Sequence, residues 1–144
     1  MMAVFVSRAM AGGDALVPTG PATASFSDVP TTHWAYKYVE YAVDEGVVGG
    51  YAGGTYRPTL AVTRDMMAVF MARAMCGGDA SVPTGPPTAY FPDVPTTHWA
   101  FRYVEYIRGE GVTGGYGDGT YRPALVVDRA SMAVYVQRAF ALPM

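Results

Sequence analysis

Two arginines stand where the local electrostatics should oppose them. Arg64 follows Thr63 and Arg129 follows Asp128, and each falls in the first turn of an expected helix. The partial positive charge at a helix N-terminus disfavours a cation there by about 0.3–1 kcal/mol. An anion is therefore expected near each arginine. Two sources stay open. One is an anionic ligand held jointly by the guanidinium and the free helix N–H groups. The other is an ion pair with Asp28, Asp93 or a Glu of an adjacent unit. An acidic residue directly before Arg129 weakens anion binding in that copy, so Arg64 is the stronger ligand candidate.

Other side chains in the same stretches suit a saccharide. Arg57 and Arg122 sit in Gly-rich connectors beside Tyr56 and Tyr121, with Tyr51 and Tyr116 close in sequence. Planar, fork-shaped guanidinium groups match carboxylate geometry. Trp34 and Trp99 offer flat faces for a sugar ring, against the plainer reading that aromatic residues at helical spacing form core. His33 and His98 have no second His or Cys nearby, so metal-ligand spacing is absent, and helix-start packing or hydrogen bonding is the expected role. Asp118 between two glycines reads as a turn residue, because Gly53 replaces it in the other copy. No Ser–His–acid set can be picked out and no glycosidase-like carboxylate pair can be inferred. No enzyme, no catalytic residue, no metal and no cofactor are expected.

These residues recur because the chain is a repeat. The same residue type returns 65 positions on at 46 of the first 65 positions. A fixed period of this length means one supersecondary unit copied. Read from Phe26, the unit opens with an extended stretch ending at Pro30. A helix is expected over His33–Glu45, capped by Thr31 or Thr32, with Trp34, Tyr38, Tyr41 and Ala42 on one face and Gly46 as its stop. A connector, Val47–Pro58, has the composition of a turn flanked by short extended pieces, a small hairpin. A second helix is expected over Arg64–Met75, capped by Thr63 in one copy and Asp128 in the other, and largely buried. Residues Cys76–Tyr90 repeat Ala11–Ser25 closely and are too rich in Pro and Gly for helix or central strand. They read as an ordered or semi-rigid linker. The division expected is a partial repeat at 1–25, a full repeat at 26–75, a linker at 76–90 and a second full repeat at 91–144.

Composition narrows the function. The chain has 144 residues, half of them apolar, and a net charge of −2, so a core can be buried and nothing points to nucleic acid. Nine of the ten cations are Arg, and all but Arg108 recur with the repeat. Cys76 aligns with Ala11 and reads as a small core filler. No stretch is long enough to span a membrane. Met1–Val6 is apolar, but it is short, Arg8 follows rather than precedes it, and the segment returns at Met66–Met75, so a signal peptide is not expected. The chain reads as starting and stopping in mid-unit.

The run Phe26-Ser27-Asp28-Val29, His33-Trp34-Ala35, Gly49-Gly50-Tyr51, Gly54-Thr55-Tyr56-Arg57-Pro58 and Val62-Thr63-Arg64-Asp65 resembles the S-layer homology repeat. Phe91–Phe140 is a second full copy, and Met1–Met10 looks like the second helix of a third. The resemblance implies a mainly α fold: tandem helix–loop–helix repeats packed as a small pseudo-threefold helical bundle with short extended or hairpin connectors. It implies non-covalent docking on an acidic cell-wall glycan, often one bearing pyruvate ketals, at the bacterial cell surface. It ties the Thr-Arg motif to glycan binding. The glycan-binding set is then Arg64, Arg129, Arg57, Arg122, Tyr56, Tyr121, Trp34 and Trp99.

A second function stands beside it. Repeats bury their apolar faces only against neighbours, and terminal repeats normally carry a polar cap. The apolar end segments here lack one. Head-to-tail assembly into an extracellular filament or lattice would bury them, through Met1, Met2, Val4, Phe5, Val136, Phe140 and Leu142. The expected partners are a wall polysaccharide, copies of the chain, or both.

Overall fold

A computed structural model describes residues 2–141. Five helices follow one another: α1 (Met2–Ala11), α2 (Tyr36–Asp44), α3 (Arg64–Cys76), α4 (Phe101–Gly109) and α5 (Arg129–Phe140). Single 3-10 turns at Asp14–Leu16 and Asp79–Ser81 lie in the linkers. Extended pairing is confined to two isolated bridges among the described residues, Tyr51 with Thr55 and Thr63 with Val126. The mainly α expectation holds, and the hairpin shrinks to one bridge around a glycine turn.

The equivalent helices α1, α3 and α5 each touch the other two. Met2, Met67 and Met132, one from each, are all buried, as are Val6, Met71 and Val136. The most extensive pairings run between sequence units, α2 on α1 and α4 on α3. Each such pair is fastened by a linker carboxylate. Asp14 accepts from Arg8 Nε at 2.7 Å, Lys37 Nζ at 3.3 Å and the Tyr38 hydroxyl. Asp79 does the same with Arg73 Nε at 2.9 Å, Arg102 at 2.6 Å and the Tyr103 hydroxyl. The linkers are ordered for this reason, with Val17 and Val82 buried beside the carboxylates.

Among the described residues, nothing of comparable extent covers the outer side of α5. Val4 and Val69 are 4% and 7% exposed, whereas their equivalent Val134 is 45% exposed. Meanwhile α1 and α5 pack together within the chain. The expected assembly residues Met2, Val4 and Val136 are therefore already buried, and Phe5 and Phe140 are partly buried against the same core. Met1 and Leu142 lie outside the described residues. The end helices thus cover one another, and among the described residues one side of α5 stays exposed at Val134.

Two local expectations are corrected. The first helix of each unit begins at Tyr36 or Phe101 rather than at His33 or His98. The His33 and His98 Nδ1 atoms accept the Ala35 and Ala100 amides at 3.1 Å, which closes a turn before the helix and puts Trp34 and Trp99 outside it. Those tryptophans stack on the histidine rings and are 65% and 60% exposed. Asp128 caps α5 by accepting the Ser131 amide at 2.7 Å. Thr63 makes no such cap: its hydroxyl donates to Asp65 instead.

Candidate functional site

The connector of each unit is fixed by one carboxylate. Asp28 accepts the amides of Tyr56 and Arg57, both at 2.8 Å, and Asp93 accepts those of Tyr121 and Arg122 at 2.9 and 2.7 Å. This clamp holds Arg57 and Arg122 in the left-handed region, at φ 61° and 59°, which costs a non-glycine residue of the order of 1 kcal/mol or more. Ahead of it, Gly50 and Gly115 also have positive φ. A Cβ there would lie 2.2 Å from Phe26 or 2.4 Å from Phe91, so only glycine lets the connector close on the aromatic core.

That arrangement settles where Arg64 is not paired. Asp28 and Asp93 are spent on backbone amides. Glu40 accepts the Ser25 amide and hydroxyl at 2.8 and 2.7 Å, and Glu105 accepts the Tyr90 amide at 2.9 Å. No carboxylate among the described residues lies within ion-pair distance of Arg64. Yet Arg64 is only 8% exposed. Its Nε donates to the Tyr121 carbonyl at 2.7 Å, one terminal nitrogen donates to the Tyr135 hydroxyl, and the other lies 3.5 Å from Thr113 Oγ1. The guanidinium stands over the rings of Tyr121, Tyr116 and Tyr135, at 4.4, 4.8 and 5.6 Å. Only neutral groups receive it, and a buried cation without a counter-charge is costly.

A cleft of about 260 Å3 opens beside that guanidinium. Thr113, Gly114, Gly115 and Tyr116 form one wall, and Ser131, Val134, Tyr135 and Arg138 on α5 form the other. Arg138 also donates to the Val112 carbonyl at 3.2 Å. Two guanidinium groups, hydroxyls and a glycine pair line it, a set of donors chemically suited to an anion. The α3 N-terminus does not contribute, contrary to expectation. The amides of Arg64 and Asp65 donate to the Leu125 and Pro123 carbonyls, both at 2.9 Å, and the Met66 amide donates to Asp65.

The other expected residues are divided between places. Tyr121 does not line the cleft but braces Arg64 from behind: its carbonyl accepts the Arg64 Nε, its ring is fully buried and its hydroxyl donates to the Arg64 carbonyl at 2.9 Å. Burial pushes its ionisation well above the usual phenol range. Arg122 lies over the Tyr116 ring at 4.0 Å and pairs with Asp118 at 3.2 Å. Tyr56, Arg57, Trp99 and Arg129 line a larger groove of about 810 Å3. There burial raises Tyr56 to about 12, and Arg57 stacks on Tyr51 at 4.3 Å. Arg129 is exposed, 6.0 Å from the Phe5 ring. Trp34 lines neither cavity.

Sequence reasoning missed Thr113, Tyr135 and Arg138. A signal was present in the differences between copies. Positions 5, 70 and 135 read Phe, Phe and Tyr, and positions 48 and 113 read Val and Thr. Only the second unit places oxygens where Arg64 reaches them.

The model of the S-layer homology domain matches residues 25–67 and again 90–133. The chain belongs to the S-layer homology family. Among its relatives is an S-layer protein of Bacillus licheniformis, 31% identical over 143 residues, which are 99% of this chain and 16% of that protein. A cellulosome-anchoring protein of Acetivibrio thermocellus is 29% identical over 116 residues, 80% of this chain and 26% of the relative. An uncharacterized cell wall amidase of Bacillus anthracis is 32% identical over 118 residues, 82% of this chain and 21% of the relative. The S-layer homology chain thus spans between 16% and 26% of these proteins' length. Membership places it at the cell surface or cell wall. None of its described helices is long and apolar enough to cross a membrane.

Proposed function

We propose that this S-layer homology chain attaches to an acidic cell-wall polysaccharide by seating a carboxylate, such as that of a pyruvate ketal, in the Arg64 cleft. The observation that carries the reading is the buried Arg64 guanidinium with no carboxylate partner among the described residues. A ligand carboxylate supplies the missing charge, and the Gly114–Gly115 backbone leaves it room. Arg138 adds a second positive group at the rim. The test is sedimentation with purified wall polymer, pyruvylated and chemically depyruvylated. Arg64→Ala should abolish binding to the pyruvylated form while helical circular dichroism persists. Arg64→Lys should bind poorly, because an ammonium loses the fork geometry. Equal binding by wild type and Arg64→Ala would assign Arg64 a purely structural role.

The bare side of α5 supports a second reading, association of copies. Val134, Leu125 and Val126 are 45%, 46% and 57% exposed on and before that helix. Head-to-tail growth through this face, with no glycan, would give particles whose length depends on Val134. Light scattering on the dilute protein showing only a 15.4 kDa species would exclude it.

A further inference from the structure

The two prongs of Arg64 end on hydroxyls whose own hydrogens have no receiver. One terminal nitrogen donates to the Tyr135 hydroxyl, and the other lies 3.5 Å from Thr113 Oγ1. The Gly115 amide reaches the same Thr113 oxygen at 3.4 Å. Both oxygens thus serve as acceptors, and a hydroxyl that accepts still has one hydrogen to donate. Among the described residues no acceptor stands within reach of either hydrogen. Thr113 and Tyr135 are each 5% exposed, and both line the 260 Å3 cleft. A buried donor without an acceptor is costly, and here two of them meet at one opening beside a cation. The equivalent positions of the first unit hold Val48 and Phe70, so the repeat folds without either hydroxyl.

We propose that Thr113 and Tyr135 are the specificity-determining residues of the cleft, each donating its hydroxyl hydrogen to one oxygen of the ligand carboxylate. The inference rests on the reading that this cleft takes a carboxylate. The two terminal nitrogens of a guanidinium present a pair of donors that fits a carboxylate, and here each is relayed by one hydroxyl. Arg64 stays behind them, tied to the Tyr121 carbonyl. It supplies the charge and polarises both hydroxyls, since hydrogen bonds in a chain strengthen one another. A neutral sugar offers no pair of charged oxygens to these donors, so the hydroxyls select acid over neutral glycan.

The first test uses Thr113→Val and Tyr135→Phe, which keep side-chain shape and remove one hydroxyl each. Each should weaken binding of pyruvylated wall polymer at least tenfold, the scale of one hydrogen bond to a charged group. Weak binding of the depyruvylated polymer should be unchanged, and so should helical circular dichroism. Thr113→Ser keeps the hydroxyl and should bind as wild type. The second probe is sodium acetate, with sodium chloride at equal ionic strength as control. It is read on the whole chain with isotope-labelled tyrosine, by the Cζ resonance that Tyr135→Phe removes. Acetate should shift that resonance saturably, chloride should not, and Thr113→Val should weaken the effect. Arg64-dependent binding of pyruvylated polymer that survives both substitutions would overturn this inference and leave the glycan reading standing. Saturable acetate binding at Tyr135 without any polymer binding would sink the glycan reading and uphold the hydroxyl pair. Thr113→Ser binding as poorly as Thr113→Val would reduce Thr113 to packing and overturn the inference. A wild-type chain that answers neither probe would overturn both.

Discussion

Arg64 and Tyr121 hold each other by crossed hydrogen bonds: the Arg64 Nε donates to the Tyr121 carbonyl at 2.7 Å, and the Tyr121 hydroxyl donates to the Arg64 carbonyl at 2.9 Å. The pair joins α3 of one unit to the connector of the next. Each buried bond of this kind is worth about 0.5–1.5 kcal/mol net. Tyr121→Phe keeps the ring and removes one bond, so it should cost about 1 kcal/mol and lower the melting temperature by a few degrees. Polymer affinity should fall as well, since the arginine loses its brace. An unchanged melt would show that the crossed pair carries no stability.

Acid should loosen the helix pairs. The Tyr38 hydroxyl and then Arg8 hold Asp14 at about 2, against 3.8 for a free carboxyl, and the Tyr103 hydroxyl and then Arg73 do the same for Asp79. A depressed carboxyl contributes stability that is complete above the unfolded value and is lost as pH falls through the folded one. The melting temperature should therefore be flat from pH 7 to about 5 and decline between about 4 and 2. Asp79→Asn should flatten part of that decline and lower the plateau. A melt independent of pH down to 2 would contradict the carboxylate clasps.

Gly115→Ala should be among the most damaging small substitutions. The added methyl meets Phe91 at 2.4 Å and the Thr120 carbonyl at 2.8 Å, at φ 75°. Strain and overpacking together should cost about 2–4 kcal/mol. Gly117→Ala, where nothing lies within 4 Å of the new carbon, should melt within a degree or two of wild type. Urea titration of both proteins gives the comparison, and similar midpoints would refute the packing argument.

Equivalent valines should differ. Val69→Asp puts a carboxylate into a site 7% exposed and should cost several kcal/mol, whereas Val134→Asp, at 45% exposed, should cost about 0.5 kcal/mol or less. If Val134→Asp destabilises as strongly as Val69→Asp while particle size falls, α5 is covered by another copy.

Much of this was legible in the sequence. The α3 and α5 starts were readable because Thr63 and Asp128 precede an arginine and an apolar stripe, although only Asp128 caps with its side chain. The α2 start was misread because Trp34 keeps helical spacing with Tyr38 and Tyr41. The imidazole of His33, taking the Ala35 amide, ends that register. Arg64 was legible as a cation in an unfavourable place. Its receptors were not, since Thr113 and Tyr135 lie 49 and 71 residues away and local periodicity carries no information at that range. The closure of α1 on α5 follows from the pseudo-threefold packing that the resemblance implies, whereas repeat logic alone treats the two ends of an array as far apart.

The carboxylate clasps at Asp14 and Asp79 set where this chain can be cut. Because α1 is fastened to α2 and α3 to α4, the separable piece is a helix with the first helix of the following unit. An excision at the borders of the family match, residues 25–67, would take α2 away from the helix it lies on. A fragment spanning α3 and α4 would keep its clasp and the pairing of the two helices. Grafting, shuffling or proteolytic trimming of these repeats should respect a seam offset by half a period from the one drawn by sequence.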